Sequence, residues 1–202
     1  MGASPWLVLL AVGLYGLLHS LLASLWAKAR ARQAFGSASE RWYRLAFNAF
    51  AVLSLLPVLA LPALLTDRGL YRLPAPWLYL TLVGQGLAAL ALLVGLLQTG
   101  VGSFLGLSQL RQPAAGGQPE LVLRGLYGWV RHPLYTAGLL FIWLLPVMTV
   151  NLLALNLGLT LYIVIGAVFE ERKLVREFGQ AYLDYQRRVP MLVPFRWGRA
   201  KK

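Results

Sequence analysis

The chain contains no cysteine, which excludes disulfides, thiolate metal ligands and a cysteine nucleophile. No metal site is expected. Charge is scarce too: only 13% of the 202 residues are charged, seven of them acidic, and there are two histidines, His19 and His132. With 58% hydrophobic residues and a mean hydropathy of +0.63, this profile is far from that of an ordinary soluble domain. Four segments carry no charge at all, residues 1–27, 45–66, 73–110 and 133–169, and one membrane span needs roughly 20 apolar residues.

The first three segments hold one span each. The fourth, with 37 residues, would reach about 55 Å as a single helix, nearly twice a ~30 Å hydrocarbon core. It must fold back, and Pro146, Thr149 and Asn151 mark the turn. The expected fold is therefore all-α integral membrane: five transmembrane helices with a C-terminal helical hairpin, followed by a cytoplasmic amphipathic helix. Residues 1–110 form an N-terminal three-span region, and residues 111–202 form the C-terminal region that carries the chemistry, within one integrated domain.

A formal net charge of +12 raises the question of nucleic acid, and the placement of the charges answers it. With five spans, residues 28–44, 111–131 and 172–202 share one side and hold seventeen of the nineteen Lys and Arg; Arg68 and Arg72 lie on the other. That asymmetry puts the N-terminus outside and the C-terminus in the cytoplasm. Anionic lipid, not nucleic acid, is the expected counterpart. Residues 1–6 lack a basic n-region, so the first apolar stretch is read as a retained helix over 5–27 instead of a signal peptide.

Further helices are expected over 44–65, with Asn48 and a kinking Pro57, and over 77–98, opening on interfacial Trp77 and Tyr79. Residues 28–44 read as a basic loop anchored at the lipid surface. The run Gly84 to Ala89 formally fits a GxGxxA dinucleotide pattern, but no strand precedes it and it lies within a span. Close helix packing by small residues accounts for it, and Gly102 and Gly106 read the same way. Residues 109–120 (QLRQPAAGGQPE) are linker-like and could serve as a lid or as a plain connector. From 169 to about 188, Leu174, Phe178, Tyr182 and Tyr185 recur at helical spacing, as in an interface-lying helix.

Polar chemistry gathers in residues 121–138 (LVLRGLYGWVRHPLYTAG) and 170–190 (EERKLVREFGQAYLDYQRRVP). Arg131, His132 and Pro133 put a cation, an imidazole and free backbone N–H groups at the N-terminus of the fourth helix, where the dipole favours an anion. Glu170 and Glu171 lie at the C-terminus of the fifth, where the dipole disfavours negative charge and a cation is required. Arg131, Arg172 or a ligand ammonium could supply it. The hairpin brings the two ends together, so one pocket could take an amphoteric ligand. An interfacial Arg-His anchor and a plain Glu-Arg salt bridge suit the same residues.

The ordered set Gly125, Tyr127, Arg131 to Pro133, Tyr135, an apolar hairpin, Glu170, Glu171, Phe178, Gly179, Tyr182, Tyr185 and Arg188 to Pro190 resembles the isoprenylcysteine carboxyl methyltransferase superfamily of integral membrane methyltransferases. Through His19-Ser20, Phe104 to Leu107 and Val189 to Pro194, the chain is similar within that superfamily to methanethiol S-methyltransferases and NnrU-like proteins of bacteria. The resemblance implies S-adenosylmethionine as cofactor, a bacterial inner membrane, and a small thiol, lipid or prenylcysteine-like methyl acceptor. Tyr127, Arg131, His132, Tyr135, Glu170 and Glu171 are the expected cofactor contacts. Arg131 and Arg188 are the expected catalytic residues, and His19 and Arg188 the expected acceptor contacts. Related enzymes have a histidine where this chain has Gln118-Pro119-Glu120, so no contact is carried over there. Two other readings stay open, a non-catalytic NnrU-like accessory protein and an NADPH-dependent membrane reductase. The sequence leaves the oligomeric state and the base for the acceptor unassigned.

Overall fold

The computed structural model describes residues 4–107 and 121–195. The linker 109–120, with Arg111, and the basic tail residues Arg196, Arg199, Lys201 and Lys202 lie outside them. The described chain is predominantly helical: α1 (Ser4–Ala23), α2 (Leu25–Phe35), α3 (Ser39–Leu64), α4 (Trp77–Thr99), α5 (Val101–Leu105), α6 (Pro133–Trp143), α7 (Val150–Phe178) and α8 (Gln180–Arg188), with strands β1 (Gly69–Arg72) and β2 (Val147–Thr149). Four helices, α1, α3 from Arg41, α4 and α7, are long and apolar enough to cross a membrane, and α6 is a shorter apolar helix. Large apolar side chains stay outward along them, Leu17 at 70% exposure and Leu53 at 67%, a surface suited to lipid and costly in water. The chain is thus an integral membrane protein of helical class.

Packing divides it into two compact units, Met1–Leu73 with Gly100–Gln118 and Val147–Tyr162, and Pro74–Thr99 with Pro119–Pro146 and Ile163–Lys202. In the first, α1 packs on α3, and Val8, Val12, Val58, Ala154 and Leu155 form the buried core. A Cβ on Gly158 would come within 3.1 Å of Val12, so the first half of α7 approaches α1 as closely as a glycine permits. In the second, α4 lies along α6. Gly84 belongs to that contact, since a Cβ there would meet Leu144 at 2.8 Å, whereas Gly86 and Gly102 have open space. Small-residue packing accounts for one glycine of the GxGxxA run and not for the other. Gly106 ends α5 in the left-handed region (φ 89°), with the Leu45 backbone nitrogen of α3 2.9 Å from where a Cβ would be, so it serves both as a cap and as a close packing contact.

Several boundaries differ from those the sequence suggests, each for a local reason. The first helix stops at Ala23 because Ser24 turns extended (ψ 156°) and accepts a hydrogen bond from the Ala27 N–H, capping a new helix. Most of the expected basic loop is therefore α2, whose alanines, lysine and arginines are good helix formers, ended at Gly36 with φ 65°. α3 begins at Ser39 and contains Pro62 as well as Pro57. The amphipathic helix after 169 is not continuous: Gly179 adopts φ 56° and separates α7 from α8.

The expected hairpin turn is present and more elaborate than a turn. α6 has 11 residues, about 16 Å, and the chain then runs through β2 before α7 starts. β2 pairs antiparallel with β1, Gly69 opposite Thr149 and Arg72 opposite Val147, with an irregularity between Gly69 and Tyr71. The loop before β1 also caps α7: the Arg68 carbonyl accepts from the Val150 N–H (3.0 Å) and the Asp67 carboxylate from the Asn151 N–H (3.1 Å). Asn151 in turn donates to the Thr66 carbonyl at 3.2 Å. N–H groups left without intrahelical partners thus find acceptors more than 80 residues away in sequence.

Candidate functional site

The second unit holds the polar cluster. Pro133 at the first position of α6 supplies a fixed φ where no N–H is needed, and His132 immediately before it is buried at 6% exposure. The backbone N–H groups of Arg131 and His132 are not open to an anion, as the sequence suggested. They donate to the carbonyls of Pro190 (2.9 Å) and Met191 (3.2 Å), and Thr136 Oγ1 donates to the Leu192 carbonyl at 2.6 Å. Residues 190–192 therefore strap the start of α6.

Arg131 forks onto Glu171, Nε to Oε1 at 2.5 Å and Nη2 to Oε2 at 3.0 Å, and its Nη1 donates to the carbonyls of Gln186 (3.1 Å) and Val189 (2.6 Å). Both side chains are about nine-tenths buried, at 10% and 12% exposure. Two further groups reach the same carboxylate, Gln186 Nε2 at 2.8 Å from Oε2 and His132 Nε2 at 3.2 Å from Oε1. A carboxylate has about four lone-pair positions, so Glu171 is filled. The cation its place on the helix calls for is Arg131, in bidentate geometry.

Glu170, the preceding residue, is 43% exposed at its side chain and accepts from the Tyr135 hydroxyl at 2.8 Å. Its Oε2 lies 3.7 Å from His132 Nδ1, an electrostatic neighbour beyond hydrogen-bond reach. The rings of His132 and Tyr135 stack at 5.4 Å with 14° between planes. One ionised pair is thus about nine-tenths buried with His132 beside it, while a second carboxylate and a phenol form the cluster's accessible side.

The α8 face beneath is aromatic. Tyr182 and Tyr185 are buried at 1% and 3% exposure, edge to face at 5.7 Å, and the Tyr185 hydroxyl donates to the Tyr127 carbonyl at 2.6 Å. Burial pushes the Tyr185 phenol up to about 12 against the opposing pull of Arg131. Tyr182 is pushed up further, by burial first and then by Glu171, and Tyr127 rises through burial and the Glu170 charge. All three are neutral at ordinary pH. The Tyr182 hydroxyl has no hydrogen-bond partner despite full burial.

Of the residues the sequence singled out, the structure brings together Arg131, His132, Tyr135, Glu170 and Glu171, and ties in Tyr127 through its backbone. Arg188 stands at the exposed end of α8, its Nε donating to the Asp184 carbonyl at 3.2 Å. His19 belongs to the first unit: its Nδ1 is 2.6 Å from the Tyr162 hydroxyl, and Tyr15, Phe47 and Tyr162 surround the ring at 4.8 to 5.9 Å. Gln186, Thr136 and the carbonyls of 189–192 were not singled out. Backbone acceptors carry no side-chain signature, although the Val189 to Pro194 segment was noted for its resemblance.

The fold and this cluster define a helical membrane protein with a carboxylate, imidazole and phenol site at a helix end. Among curated proteins the chain is similar to methanethiol S-methyltransferase 2 of Bradyrhizobium diazoefficiens, 54% identical over 69 residues, which are 34% of this chain and 27% of that protein. The methanethiol S-methyltransferase of Crocosphaera subtropica is 45% identical over 69 residues, with the same shares covered. The protein-S-isoprenylcysteine O-methyltransferase of Mus musculus is 35% identical over 83 residues, 37% of this chain and 28% of that protein. The resemblance to this superfamily thus holds over about a third of the chain, and the match spans only about a quarter of each relative's length. No family model matches the chain, and no solved structure matches it.

Proposed function

We propose that this chain is an integral membrane methyltransferase that uses S-adenosylmethionine to methylate a small thiol, a lipid or a prenylcysteine-like acceptor. The observation that carries the reading is the division of labour between adjacent carboxylates, Glu171 closed by Arg131, His132 and Gln186, and Glu170 presented beside the stacked His132 and Tyr135. Similarity to methyltransferases over a third of the chain supports it.

The donor set suits the cofactor. Glu170 offers a carboxylate to an ammonium or to ribose hydroxyls, and the aromatic faces of Tyr135 and Tyr127 suit adenine or a sulfonium cation. Arg131 has four of its five N–H groups engaged, which leaves one, with His132, for the methionine carboxylate. When bound, S-adenosylmethionine supplies an electrophilic methyl group that an acceptor displaces in line, a step governed by alignment and by desolvation of the acceptor. Arg131 and Glu171 act by fixing His132 and the start of α6. Arg188 and His19 are the acceptor candidates. Residues 111–202 form the cofactor-binding region in this reading.

The chain crosses five times, with its N-terminus outside and its C-terminus in the cytoplasm of a bacterial inner membrane. α6, about 16 Å of helix, with the turn at Leu144 and the three-residue strand β2, about 10 Å, makes the fourth crossing. The β1–β2 pairing supports this topology, because it holds the 66–76 loop beside the hairpin turn and both then lie on one side. α8, with Tyr182 and Tyr185 inward and Arg187 and Arg188 outward, follows at the cytoplasmic face.

Calorimetry in detergent with S-adenosylhomocysteine tests the assignment. Stoichiometric binding is expected, and it should vanish in the His132→Ala/Glu170→Ala double variant. A folded sample that binds nothing, or a double variant that binds unchanged, overturns it. Labelled methyl transfer to thiol, phospholipid and prenylcysteine, resolved by thin-layer chromatography, then identifies the acceptor.

A further inference from the structure

A groove of about 360 Å³ in the second unit is lined by Val168, Glu171, Arg172, Val175, Arg176 and Gln186. Arg172 and Arg176 lie one helical turn apart on the same wall. Like charges at that spacing destabilise a helix unless an anion sits between them. Glu171 cannot be that anion, since Arg131, His132 and Gln186 fill its oxygens. Among the described residues neither arginine has a carboxylate within ion-pair distance. Arg172 instead lies over the Phe169 ring at 5.4 Å, a contact that uses the cation without engaging an anion.

Depth identifies the anion. The charge-free run 133–169 ends at Phe169, which is 62% exposed. Arg172 and Arg176 follow by three and seven residues, about 5 and 10 Å further along the helix axis, the depth of the polar headgroups outside a ~30 Å hydrocarbon core. Val168 continues the groove wall as apolar surface toward that core, and Val175 lies between the two arginines. We infer that the Arg172–Arg176 groove is a binding site for the phosphate of an anionic phospholipid, the two guanidinium groups holding the phosphate and Val168 lying against the start of the acyl chains. The groove adjoins the cofactor face of His132, Tyr135 and Glu170 through Glu171 but uses different cations, and its lipid binding does not depend on methyltransferase activity.

Native mass spectrometry of the full chain in detergent, titrated with phosphatidylglycerol, phosphatidylcholine or inorganic phosphate, tests the inference. Each basic residue near an anionic surface contributes a factor of about five. Arg172→Gln/Arg176→Gln should therefore bind phosphatidylglycerol about 25-fold more weakly, Arg172→Lys/Arg176→Lys should keep most of the affinity, and phosphatidylcholine binding should stay unchanged. Arg30→Gln/Arg41→Gln, which removes equal charge elsewhere, should change phosphatidylglycerol binding less than twofold. With the wild-type chain, phosphatidylglycerol affinity should fall as salt rises, and inorganic phosphate at equal concentration should not displace the lipid. Equal loss in the two Gln pairs, competition by inorganic phosphate at equal concentration, or loss of S-adenosylhomocysteine binding in Arg172→Gln/Arg176→Gln would each overturn the inference. The last result would assign the groove to the cofactor, whereas lipid binding without any S-adenosylhomocysteine binding would overturn the proposed function alone.

Discussion

The chain's two histidines sit in unlike surroundings. His132 lies between the two carboxylates of α7 at the start of a helix, with Arg131 and Gln186 donating to Glu171 and Tyr135 to Glu170. His19 lies inside a membrane-length helix with one phenol as polar partner and aromatic rings on its other sides. The difference follows from depth. Charges at a helix end can be paired, hydrogen-bonded and partly hydrated, so a network of ionised groups is affordable there. Within the hydrocarbon a neutral hydrogen bond to a tyrosine is the arrangement that avoids an unpaired charge.

Removing the keystone of the ionised cluster should have the largest effect. Glu171→Ala leaves the Arg131 guanidinium buried without its counter-ion, and loss of one partner of a buried pair costs about 3–5 kcal/mol. Unfolding followed by circular dichroism in detergent measures it. A loss under about 1 kcal/mol would mean that the carbonyls of Gln186 and Val189 hold Arg131 without help, and the contrast between sealed and presented carboxylates would fail.

Next comes the neighbouring carboxylate. Glu170→Ala should change stability by less than about 1 kcal/mol, since an exposed group contributes little, yet weaken S-adenosylhomocysteine binding at least about tenfold. The reverse pattern, a large stability loss with intact binding, would exchange the roles of the two residues. Sequence could not assign these roles, because adjacent helical residues differ by about 100° in direction and the letters are identical. What it could supply was the encounter itself: an apolar run too long for one span must double back, so its polar ends meet. The carbonyls of 186 and 189–192, which complete the site around Arg131, have no side-chain identity to read. The α2 helix was hidden for another reason, since alternating Ala and Arg over 28–32 has no apolar period and reads as a loop although every residue favours a helix.

Tyr162→Phe probes the other histidine. It removes the 2.6 Å hydrogen bond to His19 Nδ1 while keeping the ring that packs against Tyr15 and His19. A hydrogen bond between membrane helices contributes about 0.6 kcal/mol on average and up to about 1.7, so a modest loss is expected, with S-adenosylhomocysteine binding unchanged. Lost binding with unchanged stability would show that the first unit's cluster serves the ligand and not the packing.

The smallest effect near neutrality comes from Tyr185, and it sharpens the comparison from the alkaline side. Its folded-state pKa is raised from the usual ~10 to about 12, mainly by burial, so the neutral phenol is the form the fold prefers. A group with a raised folded pKa contributes stability that is fully present below the unfolded value and is lost as pH climbs through the folded one. Between pH 7 and about pH 10 the wild-type chain should therefore show no change from this residue. Above that, an unfolding midpoint followed at constant ionic strength should fall until about pH 12, in step with ionisation of a phenol that otherwise donates to the Tyr127 carbonyl. Tyr185→Phe should lose that hydrogen bond at every pH, about 1 kcal/mol, and should flatten part of the alkaline slope, with Tyr182 and Tyr127 supplying the remainder. An alkaline slope unchanged by the substitution would place the sensitive group elsewhere and remove Tyr185 from the base of the ionised cluster.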